Sequence, residues 1–176
     1  VWSLRLNTDF RLTPDGGFEY LVLQPSEVNL FGTQHTAAVN LSLLPETVAV
    51  GARYIIPRVG GSRLLLQAET NVVFNRASGQ PEGSNGVFNY GQPLYSTRAK
   101  WSYLAKLGWR YEIDRRYVRG RLAHFDAPST EAEDGIPFRF RADQVAGSYA
   151  LLRSFGIRMK HDFSVGVEAN RRVYRA

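Results

Sequence analysis

Hydrophobic and polar residues alternate along residues 99–113, whose sequence is AKWSYLAKLGWRYEI. One side of this alternation is aromatic near both ends and aliphatic in the middle, while the other side is mostly polar. Because successive side chains of a β-strand point to opposite faces, the pattern predicts a strand with one apolar and one polar face. Aromatic rings at two levels around an aliphatic band are typical of strands that cross a bilayer. A long strand of a soluble β-sandwich is the alternative.

The same alternation recurs along the chain and predicts nine strands, or eight if one assignment is wrong. In the second strand we expect Phe18, Tyr20 and Val22 on the apolar side and an end at Pro25, because proline cannot donate to an inner ladder. The first strand is the most regular, and its apolar side consists of Trp2, Leu4, Leu6, Thr8, Phe10 and Leu12. The predicted strands are residues 2–12, 18–23, 36–44, 47–55, 63–75, 99–113, 117–125, 138–155 and 163–173.

Two departures from the alternation predict irregular structure. The polarity changes phase near Gln144 and Val145, which predicts a β-bulge. Residues 76–97 are rich in Gly, Asn, Ser and Pro and predict the longest loop. Barrels place their long loops on one side of the membrane, so we expect the two longest to lie together. The connections at 13–17, 45, 76–97 and 126–136 would lie on one side, and those at 24–35, 56–62 and 114–116 on the other.

The predicted fold is all-β, with residues 1–176 forming a single transmembrane domain that belongs to an antiparallel β-barrel. Open strand edges cannot lie in hydrocarbon, because each unpaired backbone group there costs several kcal/mol. A barrel of about eight strands would need its narrow lumen filled by side chains, whereas many inward residues here are Ser, Asn, Gly or Ala. We therefore expect half of a wall of about 16 strands. Missing C-terminal strands or a second copy, making a homo-oligomer, would complete it.

Composition limits the class of protein and its partners. Hydrophobic residues make up 44% of the chain, and no run approaches the ~18 apolar residues of a spanning helix. Cysteine is absent, so disulfides and thiolate metal sites are impossible. The net charge of +6 is spread singly along the strands, so we expect no nucleic-acid partner. The chain begins with Val1, and we expect a processed protein or a piece of a longer one.

Three segments resemble motifs of the Omp85 superfamily, the BamA/TamA-like outer-membrane assembly and translocation barrels. Residues 26–33 resemble the Asn-Leu-Phe-Gly-Thr-Gly turn between the second and third strands, with Gln34 where a second glycine is usual. The matching residues are Asn29, Leu30, Phe31, Gly32 and Thr33. Residues 54–57, which end in Pro57, resemble the Tyr-x-x-Pro turn between the fourth and fifth strands. Residues 92–101 resemble the entry to the sixth strand in the subgroup with little or no periplasmic domain, through Pro93, Tyr95 and Trp101.

The resemblance implies an integral outer-membrane protein that inserts or translocates proteins or lipid. Its implied partners are outer-membrane lipid and substrate proteins, and it implies no cofactor. In such barrels the first strand pairs weakly with the last, so its edge can open and template an incoming strand by β-augmentation. The resemblance therefore assigns this role to the backbone of residues 2–12, with Asn29 and Gly32 holding the adjoining turn. No periplasmic POTRA domain is expected within these residues, and residues 117–120 only imitate the family's late-loop signature, because Arg121 follows where an aromatic is usual.

The sequence contains no recognisable catalytic or metal-binding constellation, so we expect neither enzyme activity nor a metal. His35, His124 and His161 are far apart, and no nucleophile elbow or P-loop is present. The loop acids Glu131, Glu133 and Asp134 lack the ligand spacing of a calcium loop, and we expect them to be solvated.

Six basic residues on the polar side are expected to face an aqueous lumen: Arg5, Arg11, Arg53, Lys100, Lys106 and Arg110. They favour either an anion-attracting lumen or an internal ion-pair network with Asp9, Glu69, Glu112 and Glu168. A passive anion-favouring pore, or a membrane anchor for an exported domain, is therefore the alternative function. A soluble β-sandwich interaction module is a third.

Overall fold

The computed structural model describes residues 2–14, 17–126, 135–156 and 159–175, and within these ranges the chain is all-β. One short turn of 3-10 helix, Val59–Gly61, lies among the strands. No helix in these ranges has the length and apolar character needed to span a membrane. The strands are β1 (Leu4–Thr13), β2 (Gly17–Leu30), β3 (His35–Leu43), β4 (Thr47–Ile56), β5 (Leu65–Asn75), β6 (Pro81–Gln92), β7 (Trp101–Arg115), β8 (Tyr117–Val118), β9 (Arg121–Leu122), β10 (His124–Phe125), β11 (Ile136–Pro137), β12 (Arg139–Phe155) and β13 (His161–Arg175).

Nine of these strands form one antiparallel sheet in the order β1-β2-β3-β4-β5-β6-β7-β12-β13. The short strands between β7 and β12 pair separately, as β8 with β9 and β10 with β11. In the described structure β1 and β13 are not paired with each other, so the sheet is open and has two free edges. The predicted all-β antiparallel meander is confirmed, whereas barrel closure stays a prediction.

The strand register sorts the side chains onto two faces. Trp101, Leu107 and Tyr111 of β7 define the apolar face, and the residues paired with them in neighbouring strands share it. Lys106 and Arg110 define the opposite, polar face. In the nine strands, every exposed large hydrophobic side chain except Tyr174 lies on the apolar face. These residues are Leu4, Leu6, Phe10, Leu12, Val39, Val50, Val72, Phe88, Trp101, Leu107, Tyr111, Val145, Tyr149, Phe155, Phe163, Val165 and Val167.

Aromatic rings occupy two levels of the apolar face. The two ends of the sheet are named by the connections between strands that they carry. The A end carries the connections 14–16, 44–46, 76–80 and 116–138. The B end carries the connections 31–34, 57–64, 93–100 and 156–160. The rings near the A end are Phe10, Phe18, Phe74, Trp109 and Tyr111. The rings near the B end are Tyr54, Tyr90, Trp101, Tyr103, Phe155 and Phe163. The residues between the two levels are mostly Val, Leu and Ala, so the face has the layered pattern of a membrane-facing sheet.

The predicted count of nine strands is right, but two errors cancel in it. Residues 81–92, expected in a loop, form β6, which pairs with both β5 and β7. Residues 117–125, expected to be a strand of the sheet, form β8, β9 and β10 outside it. The motif ending at Trp101 therefore precedes the seventh strand of the sheet, not the sixth.

The distribution of connections differs from the prediction for the same reason. Because residues 81–92 are a strand, the long connection 116–138 is not joined by a second long loop at the A end. Residue 116, expected on the opposite side, also lies at the A end. The acids Glu131, Glu133 and Asp134 lie outside the described residues.

β2 continues through Pro25 to Leu30, so the predicted end at the proline is wrong. Pro25 pairs with Leu6 of β1, whereas the pairing with β3 skips Gln24 and Pro25. A proline lacks the N–H needed for one of its two ladders, and here it interrupts only the ladder with β3.

A bulge near the start of β2 changes the face of the residues that follow. The pairing with β1 shifts between Arg11 and Leu12, so that Glu19 is the extra residue. Phe18 lies on the apolar face, but Tyr20 and Val22 lie on the polar face, contrary to the alternation. Alternation alone cannot reveal an inserted residue.

The bulge predicted in β12 is absent, because its pairing with β7 and β13 runs without a shift through Gln144 and Val145. The change of polarity marks instead the place where the strand leaves the apolar band. Near the A end, Asp143 on the apolar face pairs with Arg141 at 3.1 Å and Arg175 at 3.5 Å.

The described residues contain no extended hydrophobic core. Their buried hydrophobic residues are Ala38, Val73, Ala99 and Ala142, and none of their large side chains is fully buried. The strands pack edge to edge with their sheet neighbours, without a second large sheet in the described ranges. A β-sandwich needs two sheets about 10 Å apart, so these strands do not form one. No second sheet among the described residues covers the apolar face.

A buried arginine ties three elements together at the A end. The Arg115 guanidinium lies 2.9 Å from a carboxylate oxygen of Glu46 and 2.7 Å from one of Glu82. The Arg115 side chain is only 4% exposed, and Asn75 donates a further hydrogen bond to Glu82 at 2.9 Å. Burial and the nearby Glu46 carboxylate raise the pKa of the Tyr117 hydroxyl, which lies beyond the end of β7.

Replacing Arg115 by Met should destabilise the protein, because it leaves the largely buried Glu82 carboxylate without its cation. Breaking a buried ion pair costs about 3–5 kcal/mol, and we expect the lower end because the Glu46 side chain is 40% exposed. Arg141→Met is the matched control, since its pair with Asp143 is more exposed and worth less than about 1 kcal/mol. Urea unfolding in detergent micelles measures both, and equal midpoints would refute the anchoring role.

Candidate functional site on the polar face

Polar residues from eight of the nine strands share one register level on the polar face, here called the polar row. The ninth strand, β4, contributes Gly51 at that level. In sheet order the row is Asn7, Gln24, Asn40, Gly51, Asn71, Asn85, Arg110, Gln144 and Arg172. Amides and guanidinium groups therefore cross the whole sheet at one level.

Side-chain hydrogen bonds connect the amides of the row. Gln24 donates to Asn40 at 2.7 Å, Asn40 donates to Asn71 at 3.1 Å, and Asn71 donates to Asn85 at 2.9 Å. Asn40 also donates to the Glu69 carboxylate at 3.1 Å. Each amide offers both donors and acceptors, so such a chain can continue from strand to strand.

Gly51 makes the bond between Asn40 and Asn71 possible, because these residues are separated by β4. A Cβ atom at Gly51 would overlap the Asn71 side-chain oxygen and the Thr70 carbonyl oxygen. Without a side chain there, the two asparagines meet across the strand. Contact between side chains two strands apart means that the polar face is concave at this level.

A cavity of about 450 Å³ lies against the concave face. It is lined by residues of β2 to β7, among them Asn40, Glu69, Asn85 and Arg110, and by Tyr117 of β8. Its lining is mixed in charge, because Glu69, Glu112 and Asp114 face it together with Arg110 and Arg115. A cavity of this kind can hold water and small polar solutes.

Of the six predicted lumen cations, five lie on the polar side of the sheet, Lys100 precedes β7, and the six differ in their partners. Arg110 pairs with Glu112 and Asp114, Arg53 lies 3.9 Å from Glu69, and Arg11 lies 3.6 Å from Glu19. Arg5, Lys100 and Lys106 form no ion pair with another described residue.

Of the acids expected in an internal network, Glu69 and Glu112 are paired with arginine. Asp9 accepts a hydrogen bond from Tyr20 at 3.2 Å, and Glu168 has no ion pair within the described ranges. The polar face therefore combines a partial ion-pair network with unpaired cations.

β1 forms one free edge of the sheet, and its side chains from Leu4 to Leu12 are exposed. Trp2 precedes it and is also exposed. The start of the chain is tied down by Glu27, whose carboxylate accepts the Ser3 N–H at 2.8 Å and the Asn29 N–H at 3.0 Å. The apolar side chains assigned to templating thus lie on an edge strand.

The residues of the first family-like motif form the β2–β3 turn. The Asn29 side-chain oxygen accepts the Gln34 N–H at 3.0 Å, and Leu30 ends β2. Phe31, Gly32 and Gln34 have φ angles of 54°, 74° and 61°, in the left-handed region that favours glycine. Gln34, at the position where the motif usually has glycine, therefore adopts a glycine-like conformation.

The other motif residues lie at the B end. Pro57 and Pro93 follow the ends of β4 and β6. The Arg63 guanidinium lies 4.0 Å from the Tyr95 ring centre. This contact connects the β4–β5 and β6–β7 connections. Trp101 begins β7.

No family model matches the chain, and no curated protein matches it. Within the described residues, no group of three or more His, Asp or Glu side chains is arranged to hold a metal ion.

Gly51→Ala should destabilise the sheet, because the added methyl group overlaps the Thr70 backbone and the Asn40–Asn71 bond. Overpacking of this kind costs about 1–3 kcal/mol. Gly108→Ala is the control on the same face, because its Cβ would lie 3.8 Å from the Gly86 carbonyl oxygen, an ordinary contact. Urea midpoints in detergent compare the two variants. A Gly108→Ala loss as large as that of Gly51→Ala would argue against a specific role for the row.

Proposed function

We propose that this sheet is part of the wall of an outer-membrane β-barrel. Its apolar face would contact acyl chains and its concave polar face would line an aqueous interior. The observation that carries the proposal is the exposed apolar face with aromatic rings at two levels, in a structure without an extended core among its described residues. In water such a face would cost about 25 cal/mol per Å² of apolar surface, whereas a bilayer removes that cost.

Within this proposal, the two free edges must be paired in the membrane. Unpaired N–H and C=O groups are too costly in hydrocarbon, so β1 and β13 need neighbouring strands. We propose that further strands of the same polypeptide, or a second copy, supply them.

We further propose that the barrel acts as an Omp85-type machine for inserting or translocating proteins or lipid. Support comes from the three family-like motifs and from the position of β1 at a free edge of the described sheet. Such an edge can add an incoming strand through backbone hydrogen bonds, which makes the interaction tolerant of substrate sequence.

Photo-crosslinking tests whether β1 contacts substrate. A photoactivatable phenylalanine analogue at Thr8 of β1 should form adducts with outer-membrane proteins undergoing assembly. Thr70 of β5 is the matched control, because it is also an exposed threonine on the apolar face but lies in a strand paired on both sides. Adducts would be identified by mass spectrometry of the full-length protein in its native membrane.

A lock on β1 gives the functional test. These 176 residues contain no cysteine, so a cysteine introduced into β1 can be paired with one in the strand beside its free edge without competition from another thiol of this sequence. Locking should slow assembly of substrate proteins, and reduction should restore it. Unchanged assembly in the locked form would refute the templating proposal.

A passive pore is the second candidate, favoured by the unpaired cations of the polar face such as Lys106. The ion pairs of Arg53 and Arg110 reduce the free positive charge, which weakens the case for anion selectivity. Planar-bilayer recordings of the full-length protein should therefore give a small, fluctuating conductance. A large, steady conductance with anion preference, lowered by Lys106→Gln, would favour the pore.

A further inference from the structure

Arginines gather on the apolar face of β12 and β13 near the A end, although no lysine or arginine of the described strands β1 to β6 lies on that face. Arg141, Arg171 and Arg175, here called the arginine cluster, share the apolar face in the register of the two strands. Arg139 follows on the same face, but its charge interacts with Glu82 beside the buried Arg115.

A single carboxylate holds two cations of the cluster together. Asp143, on the same face, lies 3.1 Å from the Arg141 guanidinium and 3.5 Å from the Arg175 guanidinium. Its side chain is 15% exposed, whereas those of Arg141 and Arg175 are 46% and 65% exposed. The two guanidinium groups therefore lie close together and open to their surroundings, and one carboxylate balances only one of them.

Arg171 adds a third cation to this face. It pairs with Val145, the residue that follows Asp143 on the apolar face of β12. Arg171 is exposed and forms no ion pair with another described residue. Among the described residues of β7, β12 and β13, only Asp143 is acidic on the apolar face. Three arginines against one aspartate leave two positive charges without a partner.

The cluster lies at the level of the A-end aromatic rings. Tyr111 of β7 pairs with Asp143, and Trp109 pairs with Val145, in line with Arg171. In membrane proteins such rings lie at the height of the lipid headgroups. An arginine is strongly destabilising on the lipid face near the bilayer centre but costs little near the interface. Headgroup phosphates are therefore the anions within reach of the cluster.

We infer that the arginine cluster binds the phosphate group of an anionic phospholipid in the leaflet at the A end. Guanidinium groups match the geometry of phosphate oxygens, and the two beside Asp143 are already held close together. A lipid is favoured over a free phosphate ion because the cations lie on the apolar face of the sheet. Val165 and Val167, nearer the middle of β13, are exposed on that face and would contact the acyl chains. The inference rests on the proposed membrane function.

Photo-labelling of the full-length protein in phosphatidylcholine nanodiscs tests the inference. The probe is phosphatidylglycerol with a diazirine on its headgroup, and mass spectrometry locates and quantifies the adducts. Adducts should form near the A end of β12 and β13. The double variant Arg171→Gln, Arg175→Gln should lower this labelling, on the order of fivefold for each arginine.

Two further variants distinguish phosphate binding from a general effect of charge or of folding. Arg172→Gln removes the same charge from the neighbouring residue, which is also exposed but lies on the polar face, and it should leave labelling unchanged. Asp143→Asn should increase labelling, because it frees both guanidinium groups for phosphate. Circular dichroism checks that each variant is folded.

The outcomes separate the lipid site from the membrane proposal. Equal labelling of the double variant and Arg172→Gln, or reduced labelling of folded Asp143→Asn, would overturn the inference. Displacement of the probe by inorganic phosphate as effectively as by unlabelled phosphatidylglycerol would overturn the lipid as the source of the phosphate. Failure of the protein to insert into nanodiscs of phosphatidylcholine alone would refute the proposed membrane function, whereas insertion without labelling at the cluster refutes only this inference.

Discussion

Backbone hydrogen bonding between neighbouring strands holds this structure together, because its described part has almost no buried apolar side chains. Most globular folds gain stability from packing two layers around a core, whereas here nine strands pair edge to edge in one layer. The alternating register then directs apolar side chains to one face and polar ones to the other. A single layer of this kind presents one apolar and one polar face, and the other features of the described structure lie on one of these two faces.

Alternation was sufficient to predict the strands whose two faces differ strongly in polarity. β1, β3, β4, β5, β7 and β13 lie within a few residues of their predicted bounds. β6 was missed because its apolar side includes Ser84 and Gly86, so its strand character comes from pairing with β5 and β7 on either side. Trp109 of β7 covers the space above Gly86, a contact visible only after the strands are paired.

The polar row could not be predicted, because it depends on the register of nine strands at once. The sequence places Asn40 and Asn71 on the polar side of their own strands, but not at the same level, and it places Asn85 in a loop. The role of Gly51 could not be recognised in the sequence, because a glycine inside a strand normally only weakens that strand. Its role becomes evident only from the asparagines that meet across it. The turn that carries the first family-like motif could be predicted from the sequence more easily than the polar row. Asn29, Phe31 and Gly32 are neighbours along the chain and belong to one turn.

The side-chain links between β1 and β2 lie at a different level from those that connect the central strands. From β2 to β6 the sheet is cross-linked by amide hydrogen bonds of the polar row, whereas the Asn7 side chain takes part in no hydrogen bond with a described residue. Beyond the backbone, β1 is linked to β2 by exposed contacts of Asp9 and Arg11 and by a hydrogen bond that the Thr13 hydroxyl donates to Glu19 at 3.2 Å. Glu27 secures only the residues before β1. In the described sheet the polar row therefore cross-links β2 to β6, whereas β1 is joined to β2 by side chains nearer the A end.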